Sequence, residues 1–205
     1  LAYGNCVVLK PADLVPGCAW ALAEIISRRG LPKGVLNLVM GRGSVVGERM
    51  INDPRVAAVS FTGSQAVGKG VALACAKRLA KVQLEMGGKN PQVVLDDADL
   101  DVAVNCAVQS AFFSTGQRCT AASRLVVTQG IHDRFVAALT DKIRALKVDD
   151  ALKDGTEIGP VVDQSQLDQD LAYIEVGKAD GARLATGGER LARANDGGRG
   201  PYCLG

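Results

Sequence analysis

Histidine is almost missing from this chain: His132 is the only one in 205 residues. That shortage removes two common site designs. A zinc centre of mixed Cys and His ligands has too few imidazoles. The six cysteines (Cys6, Cys18, Cys75, Cys106, Cys119 and Cys203) also show no C-x-x-C spacing. A cysteine nucleophile served by a histidine base is equally hard to assemble, because His132 opens an amphipathic stretch and reads as a surface or capping residue. No uninterrupted apolar run reaches the roughly 18 residues of a membrane helix, and no secretory leader is visible. The cysteines therefore read as reduced thiols of a cytoplasmic protein. An excess of one charge is lacking too: 24 Lys and Arg face 22 Asp and Glu. They are mixed along the chain, with no basic stripe for nucleic acid and no acidic tail. Internal repeats and low-complexity tracts are absent.

What is present is a regular alternation of strand-like and helix-like runs, the pattern of an α/β fold with mostly parallel strands. Strands are expected at Cys6–Leu9, Val35–Val39, Val56–Phe61 and Lys81–Glu85. Between them lie a helix with Cys18, Leu22, Ile25 and Ile26 on one face, a short helix over Ser44–Ile51, and a helix carrying Val67, Val71, Ala74 and Cys75. After Gly87-Gly88, a strand at Val93–Leu95 leads to a helix capped by Asp97 or Asp99, with the apolar face Leu100, Ala103, Val104, Ala107, Val108, Ala111 and Phe112. A strand at Leu125–Val127 and helices marked by Phe135, Leu139, Ile143 and Leu146, then by Leu167, Leu171 and Ile174, follow. A last strand is expected near Arg183–Ala185, and residues 186–200 read as a loop. Leu1 leads straight into a strand, and Gly200-Pro201-Tyr202-Cys203-Leu204-Gly205 stops where a turn should introduce another element. The chain reads as an internal piece of a longer one.

Two residues stand out as reagents. Most cysteines are simply small core residues, and Cys6, Cys18, Cys75 and Cys106 lie on strand or helix patterns. Cys119 instead sits in the loop Ser114-Thr115-Gly116-Gln117-Arg118-Cys119. Arg118 and nearby backbone N–H groups there are the neighbours that favour a thiolate and an oxyanion. Glu85, in Leu84-Glu85-Met86-Gly87-Gly88-Lys89, reads alone as an exposed strand-end carboxylate. Its apolar flanks and the shortage of His make it the best base on offer. Gly41-Arg42-Gly43-Ser44-Val45-Val46-Gly47 and Phe61-Thr62-Gly63-Ser64 each follow a strand and open a helix. That is a natural phosphate site, though plain turn chemistry explains each one equally well. Lys10-Pro11-Ala12-Asp13 follows the first strand, where α/β sheets bind ligands. Its charges can hold ribose hydroxyls or be simple solvated loop charges.

The ordered series Lys10-Pro-Ala-Asp13, Phe61-Thr-Gly-Ser64, Leu84-Glu-Met-Gly-Gly-Lys89, Gly116-Gln-Arg-Cys119 and Ile158-Gly-Pro-Val161 resembles the aldehyde dehydrogenase superfamily from end to end. The resemblance implies a Rossmann-like parallel sheet with helices on both faces, an NAD(P)-binding part over 1–86 and part of a catalytic α/β domain over 87–205. It implies Cys119 as the nucleophile that attacks the aldehyde and Glu85 as the base for thioester hydrolysis. Lys10 and Asp13 would contact the adenosine ribose and Gly43 the adenosine half. Ser64 would meet the pyrophosphate with Val67 beside the adenine, Thr62 and Gly63 would lie towards the nicotinamide, and Met86 would also bind the cofactor. The family's usual Glu is Asp13 here, which leaves NAD or NADP open as cofactor. The Leu84–Leu100 and Phe112–Ala121 strings look most like α-ketoglutaric semialdehyde (2,5-dioxopentanoate) dehydrogenases, so the implied substrate is a small carboxylate-bearing aldehyde. The implied whole enzyme is a homo-oligomer with no nucleic-acid or membrane partner. Two alternatives remain: a non-catalytic remnant that binds a nucleotide or partner, and an acylating or phosphorylating dehydrogenase that keeps Cys119 without using Glu85 as a hydrolytic base.

Overall fold

The structure, a computed structural model, describes residues 1–191. Two compact units divide the chain, one over Leu1–Gly87 and a second beginning at Gly88. Both are parallel α/β, with each strand joined to its partner by a helix-bearing crossover, as parallel pairing requires.

The first unit holds β1 (Val7–Leu9), α1 (Gly17–Ser27), β2 (Leu36–Leu38), a wide π-type turn at Gly43–Gly47, α2 (Glu48–Asn52), β3 (Ala58–Gly63), α3 (Gln65–Lys77) and β4 (Lys81–Met86). Strand β1 pairs with β2, and β3 with β4. The expected Ser44–Ile51 helix is thus a wide turn followed by a short helix. Gly43 and Gly47 bound that turn, and the N–H of Glu48 donates to Gly43 O five residues back, the long-span bond that widens it. Helix α3 buries Val71 and Cys75, one turn apart on the face read from the sequence. Arg78, at its C-terminal end, donates from Nε to Ile51 O at 3.0 Å and from Nη1 to Val56 O. One guanidinium so ties the end of α2 and the approach to β3 to α3. Strand β3 starts at Ala58 rather than Val56, because the backbone from Asp53 to Val56 closes a turn in which Val56 N donates to Asp53 O at 3.0 Å. Helix α1 has the expected helical period but buries no residue; Leu22 and Ile25 on its apolar face are exposed.

The second unit holds β5 (Asn90–Val94), α4 (Leu100–Ala111), β6 (Ala122–Val127), α5 (His132–Arg144) and α6 (Gln164–Ala179), with β5 parallel to β6. Strand β5 begins three residues earlier than the apolar run Val93–Leu95 suggests, taking in Asn90 and Pro91. Proline is tolerated because the register shifts between Asn90 and Pro91. Asp99 is the cap of α4, its Oδ1 accepting from Val102 N at 3.0 Å. The core is formed by Val94, Val104, Ala107, Val108, Ile131, Phe135 and Leu139. Asp96 links the strand ends to α5, accepting from Thr128 Oγ1 at 2.5 Å and from Ile131 N at 3.2 Å. His132 is the first residue of α5, exposed, with Nδ1 2.8 Å from Asp133 Oδ1. Arg183–Ala185 form no strand; the apolar run there is a single leucine between Arg183 and Ala185, too little to hold a ladder. Of the loop read over 186–200, residues 192–200 lie outside the described residues, as does Cys203. No helix among the described residues is long and apolar enough to cross a membrane.

Phe135 is 1% exposed at the centre of the second core. Phe135→Ala should lower the unfolding free energy by about 3–5 kcal/mol, the usual loss for an emptied aromatic site. Urea unfolding followed by circular dichroism measures it, and a loss below about 1 kcal/mol would mean that this cluster is not the core.

Candidate active site

The expected site residues fall into three groups. The first gathers at the C-terminal ends of β1 and β2. Lys10 Nζ donates to Asp13 Oδ1 at 2.7 Å, to Gly41 O at 3.3 Å and to Pro11 O, so all three ammonium hydrogens have acceptors. The other Asp13 oxygen accepts from Gly43 N–H at 3.3 Å. Lys10, Asp13 and Gly43 therefore form one hydrogen-bonded knot. Asp13 is held below the ordinary carboxylate value, first by the Lys10 hydrogen bond and charge, then by the Gly43 N–H and the more distant Arg42 charge, against a partial opposing effect of desolvation. Gly41 has φ +137°, and a Cβ there would lie 2.7 Å from Val46 Cγ2, so the turn requires glycine. At Gly43 an added Cβ would meet nothing within 4 Å, leaving open space over the backbone. Pro11, Asp13, Trp20, Met40, Gly41 and Arg42 help line a cleft of about 460 Å³ beside this knot.

The second group lies across β3 and β4. Thr62 stands opposite Glu85 and Gly63 opposite Met86 in register. Ser64 caps α3, its Oγ accepting from Val67 N at 3.3 Å, which leaves its O–H free to donate. Val67 is exposed in the first turn of α3. Gly68 packs so tightly under Met86 that a Cβ would fall 2.4 Å from its sulfur. Glu85 is exposed, with Gln83 Nε2 at 3.4 Å from its Oε1. Gln65 Nε2 donates to Gly87 O at 3.2 Å and fixes the exit from β4.

The third group surrounds Cys119 in the second unit, apart from the other two groups in the chain. After α4, Ser114, Thr115 and Gly116 are all left-handed, with φ of 56°, 55° and 65°. Two of the three carry side chains that disfavour this region by about 1–2 kcal/mol each. The turn is held by Gln117 N donating to Ser114 O at 3.1 Å and by the Arg118 guanidinium donating to Gln109 O. Asn90 completes it: Nδ2 donates to Cys119 O at 2.8 Å and to Ala121 O at 3.1 Å. Cys119 is exposed, and among the described residues its own N–H makes no protein hydrogen bond. Asn90 was not singled out by sequence reasoning. It follows the Gly-Gly-Lys string directly, and its residue type, a short amide able to hold two carbonyls, was the available signal.

A model of the aldehyde dehydrogenase family matches residues 1–203. The chain belongs to the aldehyde dehydrogenase family. It is 49% identical over 192 residues to the α-ketoglutaric semialdehyde dehydrogenase of Bacillus subtilis (strain 168), covering 93% of this chain and 39% of that protein. Betaine aldehyde dehydrogenase of Staphylococcus aureus, solved in complex with NAD+, superposes with a TM-score of 0.89 at 38% identity, over 92% of this chain and 37% of that one. A structure described as an E. coli NADP dependent enzyme gives a TM-score of 0.91 at 40% identity, over 96% and 40%. The chain thus spans about two fifths of the length of each of these three proteins.

Gly116 is required twice over, by its φ and by Ala111 O, 2.6 Å from where a Cβ would sit. Gly116→Ala should cost about 1–3 kcal/mol of stability and alter the alkylation rate of Cys119. Unchanged unfolding and unchanged alkylation would show that the turn does not hold the thiol. The lowered Asp13 pKa sets a sign as well. The stabilisation from its knot is present above the ordinary value of 3.8 and is lost as pH falls through the lowered folded-state value. A carboxyl NMR titration should give Asp13 a midpoint below 3.8, and in Lys10→Met the midpoint should rise.

Proposed function

We propose that the whole protein oxidises an aldehyde to the carboxylic acid, with NAD+ or NADP+ as hydride acceptor and Cys119 as nucleophile. The observation that carries this reading is the Cys119 turn: an exposed thiol after a strained left-handed loop, its carbonyl gripped by Asn90 and its N–H uncommitted among the described residues.

The residues of the first unit fit a dinucleotide. The open backbone at Gly43 lets a ligand approach where a side chain would intrude, and the adjoining cleft of about 460 Å³ has room for a nucleoside. The Ser64 hydroxyl can donate to a phosphate at the start of α3, Thr62 and Gly63 border Glu85 and Met86 from the neighbouring strand, and Met86 follows Glu85 on its own strand. When bound, the nicotinamide supplies the site that receives the hydride.

The steps assigned to this chain follow from its groups. The Cys119 thiolate adds to the carbonyl carbon, forming a thiohemiacetal whose oxyanion the Cys119 N–H can receive. Loss of hydride from that carbon leaves a thioester on Cys119. A water then adds to the thioester carbon, Glu85 taking its proton, and the carbon–sulfur bond breaks to release the acid and restore the thiolate. The role given to Glu85 rests on its motif. For the substrate, the reading is a small semialdehyde bearing a carboxylate, supported by the strings around Glu85 and Cys119 and by the name of the Bacillus subtilis relative.

In the whole protein, Cys119→Ala should abolish aldehyde oxidation while nucleotide binding, measured by calorimetry, persists; activity within a few-fold of wild type would overturn the assignment. Glu85→Gln should retain a pre-steady-state burst of reduced nucleotide and slow the steady rate by about 10²–10⁴, the range for losing a general base. Release of acyl-phosphate or acyl-CoA instead of free acid would decide for the acylating or phosphorylating alternative.

A further inference from the structure

We infer that Arg42 binds the 2′-phosphate of an adenosine nucleotide, so that this protein takes NADP+ in preference to NAD+; the inference rests on the nucleotide reading given above. Three observations on the same cleft carry it.

The first is the state of the two charged groups expected to receive the ribose. Lys10 has spent its three donors on Pro11 O, Asp13 Oδ1 and Gly41 O. Asp13 has one oxygen on Lys10 and the other on Gly43 N–H. A carboxylate so engaged is fixed in place, and its charge is already matched by the ammonium. The usual obstacle to a 2′-phosphate, a free carboxylate aimed at that position, is therefore weakened.

The second is Arg42 itself. It lies between Gly41, which must be glycine, and the open Gly43, and it lines the cleft together with Asp13. Its backbone is fixed, with the carbonyl accepting from Val45 and Val46, but its side chain caps nothing. Among the described residues its guanidinium makes no hydrogen bond or ion pair; its charge reaches Asp13 only at long range. An arginine held at a turn with its fork uncommitted is suited to a phosphate, which accepts two parallel N–H bonds.

The third is the charge of the cleft. Lys10 and Asp13 offset one another, so Arg42 leaves the site with a surplus positive charge. The rest of the lining, with Pro11, Trp20 and Met40, is largely apolar and offers no second anion to compete. In doubly wound folds an arginine near the ribose is the known physical means of accommodating a 2′-phosphate.

The test is calorimetric titration of the whole protein with two half-ligands, adenosine 2′,5′-bisphosphate and 5′-AMP, which differ only in the 2′-phosphate. Wild type should bind the bisphosphate about 10- to 100-fold more tightly, the range of a charged hydrogen bond. Arg42→Gln should erase that preference while changing 5′-AMP affinity by less than about threefold, and Arg42→Lys should keep part of it. Because the Arg42 side chain supports no other group among the described residues, these variants should melt with wild type. Equal affinity for both ligands in wild type, or an undiminished preference in Arg42→Gln, would overturn the assignment of Arg42 while leaving the nucleotide reading intact. Failure of both ligands to bind would overturn the nucleotide reading and this inference with it.

Discussion

Parallel pairing is the constraint on which the rest of this structure depends. Two parallel strands cannot be joined by a tight turn, so each pair here is separated by a crossover long enough to hold a helix. In the first unit this collects the turns after β1, β2 and β3, together with the last residues of β4, at the C-terminal ends of the strands. Lys10, Asp13, Gly43, Ser64 and Glu85 all lie there. Lys10, Asp13 and Gly43 share that end of the β1–β2 pair, and Ser64 and Glu85 that end of the β3–β4 pair; within each pair, strand direction brings together motifs far apart in sequence. Burial contributes less to this placement than backbone hydrogen bonding, since most of these residues are exposed.

The second unit uses the opposite end of its ladder. Cys119 precedes β6, and Asn90 begins β5, so the thiol loop is fixed from the N-terminal ends of the strands. Its position depends on a balance of local terms. Ser114 and Thr115 occupy a backbone region unfavourable to both, and the compensating bonds come from Asn90, Arg118 and Gln117. A thiol held in this way needs no deep pocket of its own unit to be exposed; the turn aims the chain and the clamp keeps it there.

Much of this was legible in the amino-acid sequence, for reasons that differ by element. The faces of α3, α4 and α5 were readable because apolar residues three and four apart must share a side, and Val71, Cys75, Val104, Val108, Phe135 and Leu139 are indeed buried. The face of α1 was equally periodic, yet Leu22 and Ile25 are exposed. Periodicity reports that a face seeks cover and says nothing of whether cover is present. The start of β5 was hidden because Asn90-Pro91 has turn chemistry, and only the register shift lets the proline sit in a ladder. At the sites, the glycines marked Gly41, Gly43 and Gly116 as special positions. The left-handed Ser114 and Thr115 could not be read, because neither residue type prefers that conformation. Nor could the saturation of Lys10, which depends on a carbonyl at Gly41, far along the chain.

Asn90 has one consequence of a different kind, concerning how the molecule ages. An asparagine deamidates when the backbone nitrogen of the next residue closes on the side-chain carbonyl. The residue after Asn90 is Pro91, whose nitrogen lies in a ring and carries no hydrogen. The ring closure is therefore blocked at the one amide that grips both Cys119 O and Ala121 O. The proline that disturbs the ladder by one register step thus also protects the clamp from slow conversion to a carboxylate. Such a carboxylate would have no hydrogen left to donate to either carbonyl.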